Sequence, residues 1–249
     1  MNVDELTKTL SSYSSHANTG MSLISSALRP IAFILLGIFF LLEMNNWKKL
    51  LESRGQSITK KLFIELIIKY IFSVLFILMS DTILDALVEL GTILIKIVNN
   101  AVPLQSFLYE FDPGEINGWI EAMIVGLFGK VIQFIANLIL LLLIFMRFVE
   151  LYILKAIAPI LVAFFMSDSL RSITINFFKR YIAYVLSGMV LLVVSVVYNY
   201  LIQDDILKAV GQASGGDLGA AFASIAKGVM YILMIAGMTR KVKQLVGVG

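Results

Sequence analysis

Long apolar runs separated by short polar stretches dominate the chain and predict membrane-spanning helices. About 20 residues at 1.5 Å per residue cover a hydrocarbon core of about 30 Å, and five runs reach that length. They lie at residues 23–44, 62–80, 119–166, 181–202 and 218–238. The pattern therefore predicts an all-α polytopic integral membrane protein built as a single membrane domain over residues 1–249.

The distribution of basic residues between these runs predicts their orientation. The loop at 45–61, the loop at 167–180 and the tail at 239–249 are rich in Lys and Arg, which favours the cytoplasmic side. Residues 81–118 carry six acidic side chains against Lys96 alone and are placed outside as a loop. Residues 1–22 form a polar outer tail without the positive start of a signal peptide, so we expect no cleavage. The prediction is five crossings, with the N-terminus outside and the C-terminus inside.

The first part of that outer loop has the periodicity of an amphipathic helix. Asp85, Glu89, Thr92 and Lys96 recur every three or four residues and form one polar stripe. The helix at 81–100 lies in the outer interface, or it dips into the bundle with the stripe facing a cavity. We favour the interface, because a full crossing would place the acidic residues 103–118 in the cytoplasm.

The third run is too long for one straight crossing and too short for three. Because residue 119 starts outside and residue 166 ends inside, the run crosses once, and its surplus is a helix bent at Pro159 or a re-entrant piece at 147–166. This part also carries Arg147, Glu150 and Lys155. A charge at the centre of a membrane helix costs about 2.5–3.5 kcal/mol on insertion scales. The three charges therefore mark the cytoplasmic interface or line a polar path through the membrane.

Two further patterns suggest contacts between helices. Glu65 and Lys69 lie one helical turn apart in the favourable acid-before-base order, which predicts an ion pair. Ala220, Ser224 and Gly228 form a stripe of small residues at four-residue spacing, which allows another helix to approach closely.

The composition sets limits on the chemistry of the protein. With 59% hydrophobic and 15% charged residues, the chain is far more apolar than a soluble domain. It has no cysteine and a single histidine, which excludes disulfides and leaves no thiolate metal site or catalytic triad. No phosphate-binding loop is present. We therefore expect no enzymatic activity, cofactor or metal site. The net charge of +3 is scattered over loops and forms no basic patch for DNA.

One segment carries a family resemblance. The run LLLLIFMRFVELYILKAIAPILVAFF joins an Arg-containing helix to Ala156-Ile157-Ala158-Pro159-Ile160, and a short polar loop and a Tyr-flanked span follow. This arrangement, centred on residues 138–200, resembles the TrbL-like polytopic inner-membrane subunits of conjugative type IV secretion systems. The first third of the chain is similar to that family in its topology.

The resemblance implies a membrane channel or scaffold subunit that helps DNA and protein substrates across the plasma membrane. It also implies an oligomer that works beside other membrane subunits of the machine and separate ATPases. The Lys-rich, Ile-rich and Cys-free composition suggests a Gram-positive-type bacterium. The alternatives are a secondary transporter with a midplane site at the broken helix and a purely structural scaffold.

Overall fold

The computed structural model describes residues 3–53, 60–103, 108–112, 114, 116, 118–203 and 218–247. Within these ranges the regular elements are helices: α1 (Leu10–Tyr13), α2 (Ser15–Glu52), α3 (Lys60–Ala101), α4 (Trp119–Ala163), α5 (Arg171–Gln203) and α6 (Leu218–Leu245), with short 3₁₀ turns at Val3–Glu5 and Phe164–Met166. Parts of the predicted loops at 45–61 and 81–118, and the segment 204–217 between the last two spans, lie outside the described residues.

The five long helices are each long and apolar enough to cross a membrane. Four of them contain a predicted span, and α4 with the 3₁₀ turn that follows it covers the fifth, at 119–166, which confirms the all-α polytopic fold. In α5, 61% of the most apolar window is buried, against 22–33% in the corresponding windows of the other four helices. Helix α5 is therefore the centre of the bundle, while the others expose much of their apolar surface.

Helix α4 packs against each of the other long helices, and named contacts define the directions. α2 runs parallel to α4, since Asn18 lies beside Lys155 and Phe39 packs on Phe164 near the end of α4. α3 runs the other way: Asp85 lies beside Asn18, and Lys69 reaches the loop after α4. After α4 in the chain, α5 and α6 form an antiparallel pair of helices.

The helices are staggered along α4. Helix α2 contacts the C-terminal third of α4 at Lys155 and the following 3₁₀ turn at Phe164. Helix α6 packs along the preceding part, where Gly228 touches Ile132. With 45 residues, α4 is about 68 Å long, roughly twice the thickness of a hydrocarbon core. α4 is therefore the element along which both ends of the bundle are assembled.

The predicted outer helix at 81–100 is not a separate element. Helix α3 continues without interruption from Lys60 to Ala101. Asp81 accepts hydrogen bonds from Ser25 and Arg29, and Asp85 from Lys155, so both carboxylates face the bundle. Residues 81–100 are therefore the second half of α3, with Asp81 and Asp85 packed towards α2 and α4, and their depth in the membrane stays a prediction.

The predicted polar outer tail at 1–22 is folded. Leu6 and Leu10 are almost fully buried, and residues 15–22 already belong to α2. Ser14 caps that helix by accepting a hydrogen bond from the amide of Ala17. The N-terminal segment, residues 3–13, is therefore part of the bundle core.

Helix α4 runs through Pro159 and ends at Ala163, where the chain tightens into a 3₁₀ turn. The structure therefore shows no break at Pro159 itself, and α4 ends four residues later. Pro159 has no amide hydrogen, so the carbonyl of Lys155 loses its helical donor. At the true end of the helix, the hydroxyl of Thr174 donates to the carbonyl of Leu161 over 2.7 Å. No turn separates 147 from 163, so the re-entrant alternative is not observed.

Candidate functional site

The guanidinium of Arg147 is held inside the bundle by backbone carbonyls. Arg147 is 2% exposed. Its Nε donates to the carbonyl of Tyr184 over 3.1 Å, Nη2 to that of Val185 over 3.3 Å, and Nη1 to that of Leu6 over 3.3 Å. One arginine of α4 therefore joins α5 to the N-terminal segment.

The space for this guanidinium comes from Gly188. A Cβ at Gly188 would lie 2.5 Å from Cζ of Arg147, so any larger residue would displace the side chain. The ring of Phe148 packs 5.2 Å from the same Cζ. Among the described residues no carboxylate lies within ion-pair distance of Arg147. Three of its five N–H groups donate to backbone carbonyls, and its charge is offset by carbonyl dipoles and an aromatic ring rather than by a paired carboxylate.

Lys155 has a full ionic partner. The side chain is 1% exposed, and Nζ lies 2.8 Å from Oδ1 and 2.8 Å from Oδ2 of Asp85. The side-chain oxygen of Asn18 accepts a third hydrogen bond over 2.9 Å. All three donors of the ammonium are thus used. The contact ties α4 to α2 and α3 at one level.

The N-terminal segment is fastened to α4 between these two cations. The hydroxyl of Tyr152 donates to the carbonyl of Leu10 over 2.6 Å. The ring of Tyr13 stacks on Phe148 with 3.8 Å between centroids. With the contact from Arg147 to Leu6, these interactions hold residues 3–13 along α4.

The other members of the predicted charged group have different surroundings. Glu150 is partly exposed and lines a cavity of about 120 Å³ between α4, α5 and α6, together with Arg147, Tyr184 and Ser187. Pro159 is buried within α4. The structure therefore brings Arg147 and Glu150 to one cavity and places Lys155 in a separate ion pair.

Lys69 forms an ion pair with a residue other than the predicted one. It bonds Asp168 in the loop after the 3₁₀ turn, while Glu65 is exposed and forms no ion pair with it among the described residues. Buried Glu43 accepts from the indole of Trp47 over 3.0 Å and from the amide of Asp168 over 3.3 Å. Partial burial alone would raise the pKa of Asp168, but hydrogen bonds with Lys69 and Glu43 outweigh it and lower that pKa.

The small-residue stripe of α6 receives part of the outer loop. The hydroxyl of Tyr109 donates to the carbonyl of Ser224, and a Cβ on Gly228 would lie 2.9 Å from the Tyr109 ring. Asn137 of α4 exchanges two hydrogen bonds with the backbone of Tyr109. The side chain of Ala220 lies outside the described residues. This loop therefore connects α4 to α6.

The sequence prediction gave no contact to Arg29, Asp81 or Tyr109, and it favoured the interface for Asp85. All four residues form contacts between elements. The spacing of Asp81 and Asp85, four residues apart within an apolar helix, is a signal that could have identified them. In the described part of the chain, no group of three or more potential metal ligands occurs.

Comparisons with known proteins place the chain in a family. The family model described as TrbL/VirB6 plasmid conjugal transfer protein matches residues 31–242, which covers both cations, the cavity and all of α3, α4 and α5. No curated protein and no solved structure matches the chain. Together with the five apolar helices, the family match makes this a multi-pass membrane component of conjugal transfer by type IV secretion. The chain belongs to the TrbL/VirB6 family of plasmid conjugal transfer proteins.

Proposed function

We propose that this protein is a channel or scaffold subunit of a conjugative type IV secretion machine and helps pass DNA and protein substrates across the plasma membrane. The observation that carries the proposal is the family match over residues 31–242. On this proposal the protein performs no chemistry itself, and separate ATPases of the machine supply the energy. The composition favours a Gram-positive-type host.

The exposed surface of α4 supports assembly with other chains. Large apolar side chains are exposed along α4 from Trp119 to Ile157, a distance of about 57 Å. A single bilayer would cover that length only with a tilt of about 60°, beyond the range of about 0–40° found for membrane helices. We infer that another protein chain covers part of this stripe, in a homo-oligomer or beside other membrane subunits.

The packing inside one protomer also favours a passage between chains. Leu36, Ile77, Leu140 and Leu192 are fully buried in the bundle. The cavity beside Arg147 has a volume of about 120 Å³, far too small for a DNA strand or a polypeptide. Substrates would therefore move along an interface between protomers.

A mating experiment tests the function. Deletion of the gene in a conjugation-competent host is expected to abolish plasmid transfer, and the wild-type gene supplied in trans is expected to restore it. Undiminished transfer after deletion would refute the proposal. Intact transfer with loss of uptake of a solute would instead support a secondary transporter. The bent midplane site of that alternative has less support, since α4 is helical through Pro159 and Lys155 is paired with Asp85.

Photo-crosslinking separates a passage from a scaffold. A photoreactive amino acid at exposed Leu127, Leu141 or Ile153 of α4 is expected to give protein adducts in donor cells, while buried Leu140 serves as the matched control. Recovery of transferring plasmid strand with the crosslinked complex would support a passage. Protein adducts with no recovered DNA at any position would favour the scaffold. If every exposed position along the stripe gave lipid adducts and none gave protein adducts, the inference that another chain covers α4 would be contradicted.

Cysteine labelling tests the orientation, which remains a prediction from the charge pattern. Ser172 is exposed next to Arg171 at the start of α5, and the native chain has no cysteine. Ser172→Cys should react with a membrane-impermeant maleimide only after the cells are opened. Labelling of intact cells would reverse the predicted topology.

A further inference from the structure

The cavity between α4, α5 and α6 combines one buried cation with apolar walls. Arg147, Glu150, Tyr184 and Ser187 line one part of it. The rest is formed by apolar side chains, namely Leu143, Met146, Val190, Leu191, Met238 and Val242. Met146 is 48% exposed, so the wall it forms reaches the outer surface of α4. The cavity is therefore polar at one end and open to an apolar surface at the other.

The electrostatics of this cavity favour an anion. Arg147 is buried, and no carboxylate lies within ion-pair distance of it in the ranges that the structure covers. A buried ion without a counter-charge is strongly unfavourable, in contrast to Lys155 with its carboxylate partner. Glu150 lines the same cavity without an ion pair to Arg147, so an anion bound directly to the guanidinium would supply a closer counter-charge.

Further basic residues surround the same level of the bundle. Arg180 is exposed one turn before Tyr184 on α5, and Lys241 is exposed directly before Val242 on α6. Nζ of Lys179 lies 3.8 Å from the position of a Cβ on Gly247. This basic rim lies beside the cavity, at the C-terminal end of α6. Basic pockets between membrane helices are suited to acidic lipid head groups.

We propose that the cavity binds the phosphate of an anionic phospholipid, with Arg147 as the buried cation and the acyl chains leaving past Met146. Among the described lining residues, Glu150 alone is acidic. It would accept hydrogen bonds from head-group hydroxyls, as in phosphatidylglycerol. The apolar walls favour a lipid over a nucleic acid strand, which would need an extended basic groove.

Thermal unfolding of the full-length protein, stripped of lipid in a neutral detergent, tests the site. Added phosphatidylglycerol is expected to raise the Tm with saturation. Phosphatidylethanolamine and inorganic phosphate at equal concentration are expected to have little effect. An equal shift with inorganic phosphate would show a simple anion site, and displacement of phosphatidylglycerol by an oligonucleotide would show a nucleic-acid site. Either result, or an equal shift with phosphatidylethanolamine, would overturn the proposal.

Two variants locate the binding without removing Arg147, whose hydrogen bonds hold the bundle together. Val190→Phe fills the cavity, and Val193→Phe, on the exposed face of the same helix, is the control. We expect phosphatidylglycerol binding to fall at least about tenfold in the first variant only. Equal binding by both would refute the proposal.

The rim provides a second measurement that does not depend on the packing of Val190. Arg180→Gln with Lys241→Gln removes two exposed cations and is expected to weaken phosphatidylglycerol binding about thirtyfold. Lys48→Gln with Lys49→Gln, at the far end of α2, should leave binding unchanged. Unaltered binding by the rim variant would place the lipid elsewhere.

Discussion

Breaking the ion pair between Lys155 and Asp85 is expected to destabilise the bundle substantially. Each carboxylate oxygen lies 2.8 Å from Nζ. With an effective dielectric constant of about 20, such a contact supplies about 6 kcal/mol of Coulombic attraction before desolvation. Removing one partner of a buried pair costs about 3–5 kcal/mol. Because 45% of the Asp85 side chain is exposed, we expect a loss of about 3 kcal/mol, the lower end of the range, for Asp85→Ala.

A double-mutant cycle isolates this interaction from the other effects of each substitution. Asp85→Ala, Lys155→Met and the double variant would be unfolded chemically in detergent, and their free energies of unfolding compared with the wild type. The double variant no longer buries an unpaired ammonium, so we expect it to be more stable than the sum of the single losses predicts, with a coupling energy of about 2 kcal/mol. Lys48 and Glu52 form the control cycle.

The control pair is also a lysine–carboxylate ion pair, but it is exposed to solvent. Nζ of Lys48 lies 3.7 Å from Glu52, and both side chains are more than 60% exposed. Exposed pairs one turn apart contribute about 0.5 kcal/mol or less. If the coupling energy of the Lys155 cycle were no larger than that of the control, burial would not strengthen the pair and the reasoning would fail.

Two further predictions concern the Arg147 site and the loop after α4. Gly188→Ala should lower the free energy of unfolding, because its Cβ would lie 2.5 Å from Cζ of Arg147. Gly126→Ala, with no atom within 4 Å of the new Cβ, should raise that free energy by about 0.5–1 kcal/mol. Equal effects of the two substitutions in chemical unfolding would contradict the close packing of Gly188 on Arg147. The lowered pKa of Asp168 means that its contribution to stability is complete above its ordinary pKa of about 3.9 and is lost as the pH falls through the lower, folded value. Asp168→Asn should therefore reduce stability at pH 6 and lose that difference at strongly acidic pH, and Lys69→Met should weaken the effect; a difference independent of pH would exclude an ionic origin.

The sequence was sufficient for the helices because membrane spans depend on local composition. Runs of about 20 apolar residues predicted each crossing without knowledge of its neighbours. The helix ends were less predictable, since α2 begins at Ser15 and α3 reaches Ala101. Polar residues in the outer turns made both helices look shorter in the sequence than they are. The partners of these polar residues lie on other elements.

The contacts between helices could not be predicted from local spacing. The rule for residues one turn apart paired Lys69 with Glu65, but Asp168, 99 residues away, is the observed partner. Leu6 and Leu10 are isolated apolar residues in a polar segment, and only the surface of α4 explains their burial. In each case the deciding partner comes from a distant part of the chain.

The partners of the two buried cations become available at different times during synthesis. Asp85 and Asn18 precede Lys155 in the chain, so its ion pair can form as soon as α4 enters the membrane. Arg147 needs Leu6, made 141 residues earlier, but also Tyr184 and Val185, made 37 and 38 residues later. Until α5 emerges, Arg147 lacks two of its three acceptors in a setting where an unpaired charge is costly. We therefore expect insertion of α4 to be coupled to the arrival of α5, so that the two helices enter the bilayer as a unit.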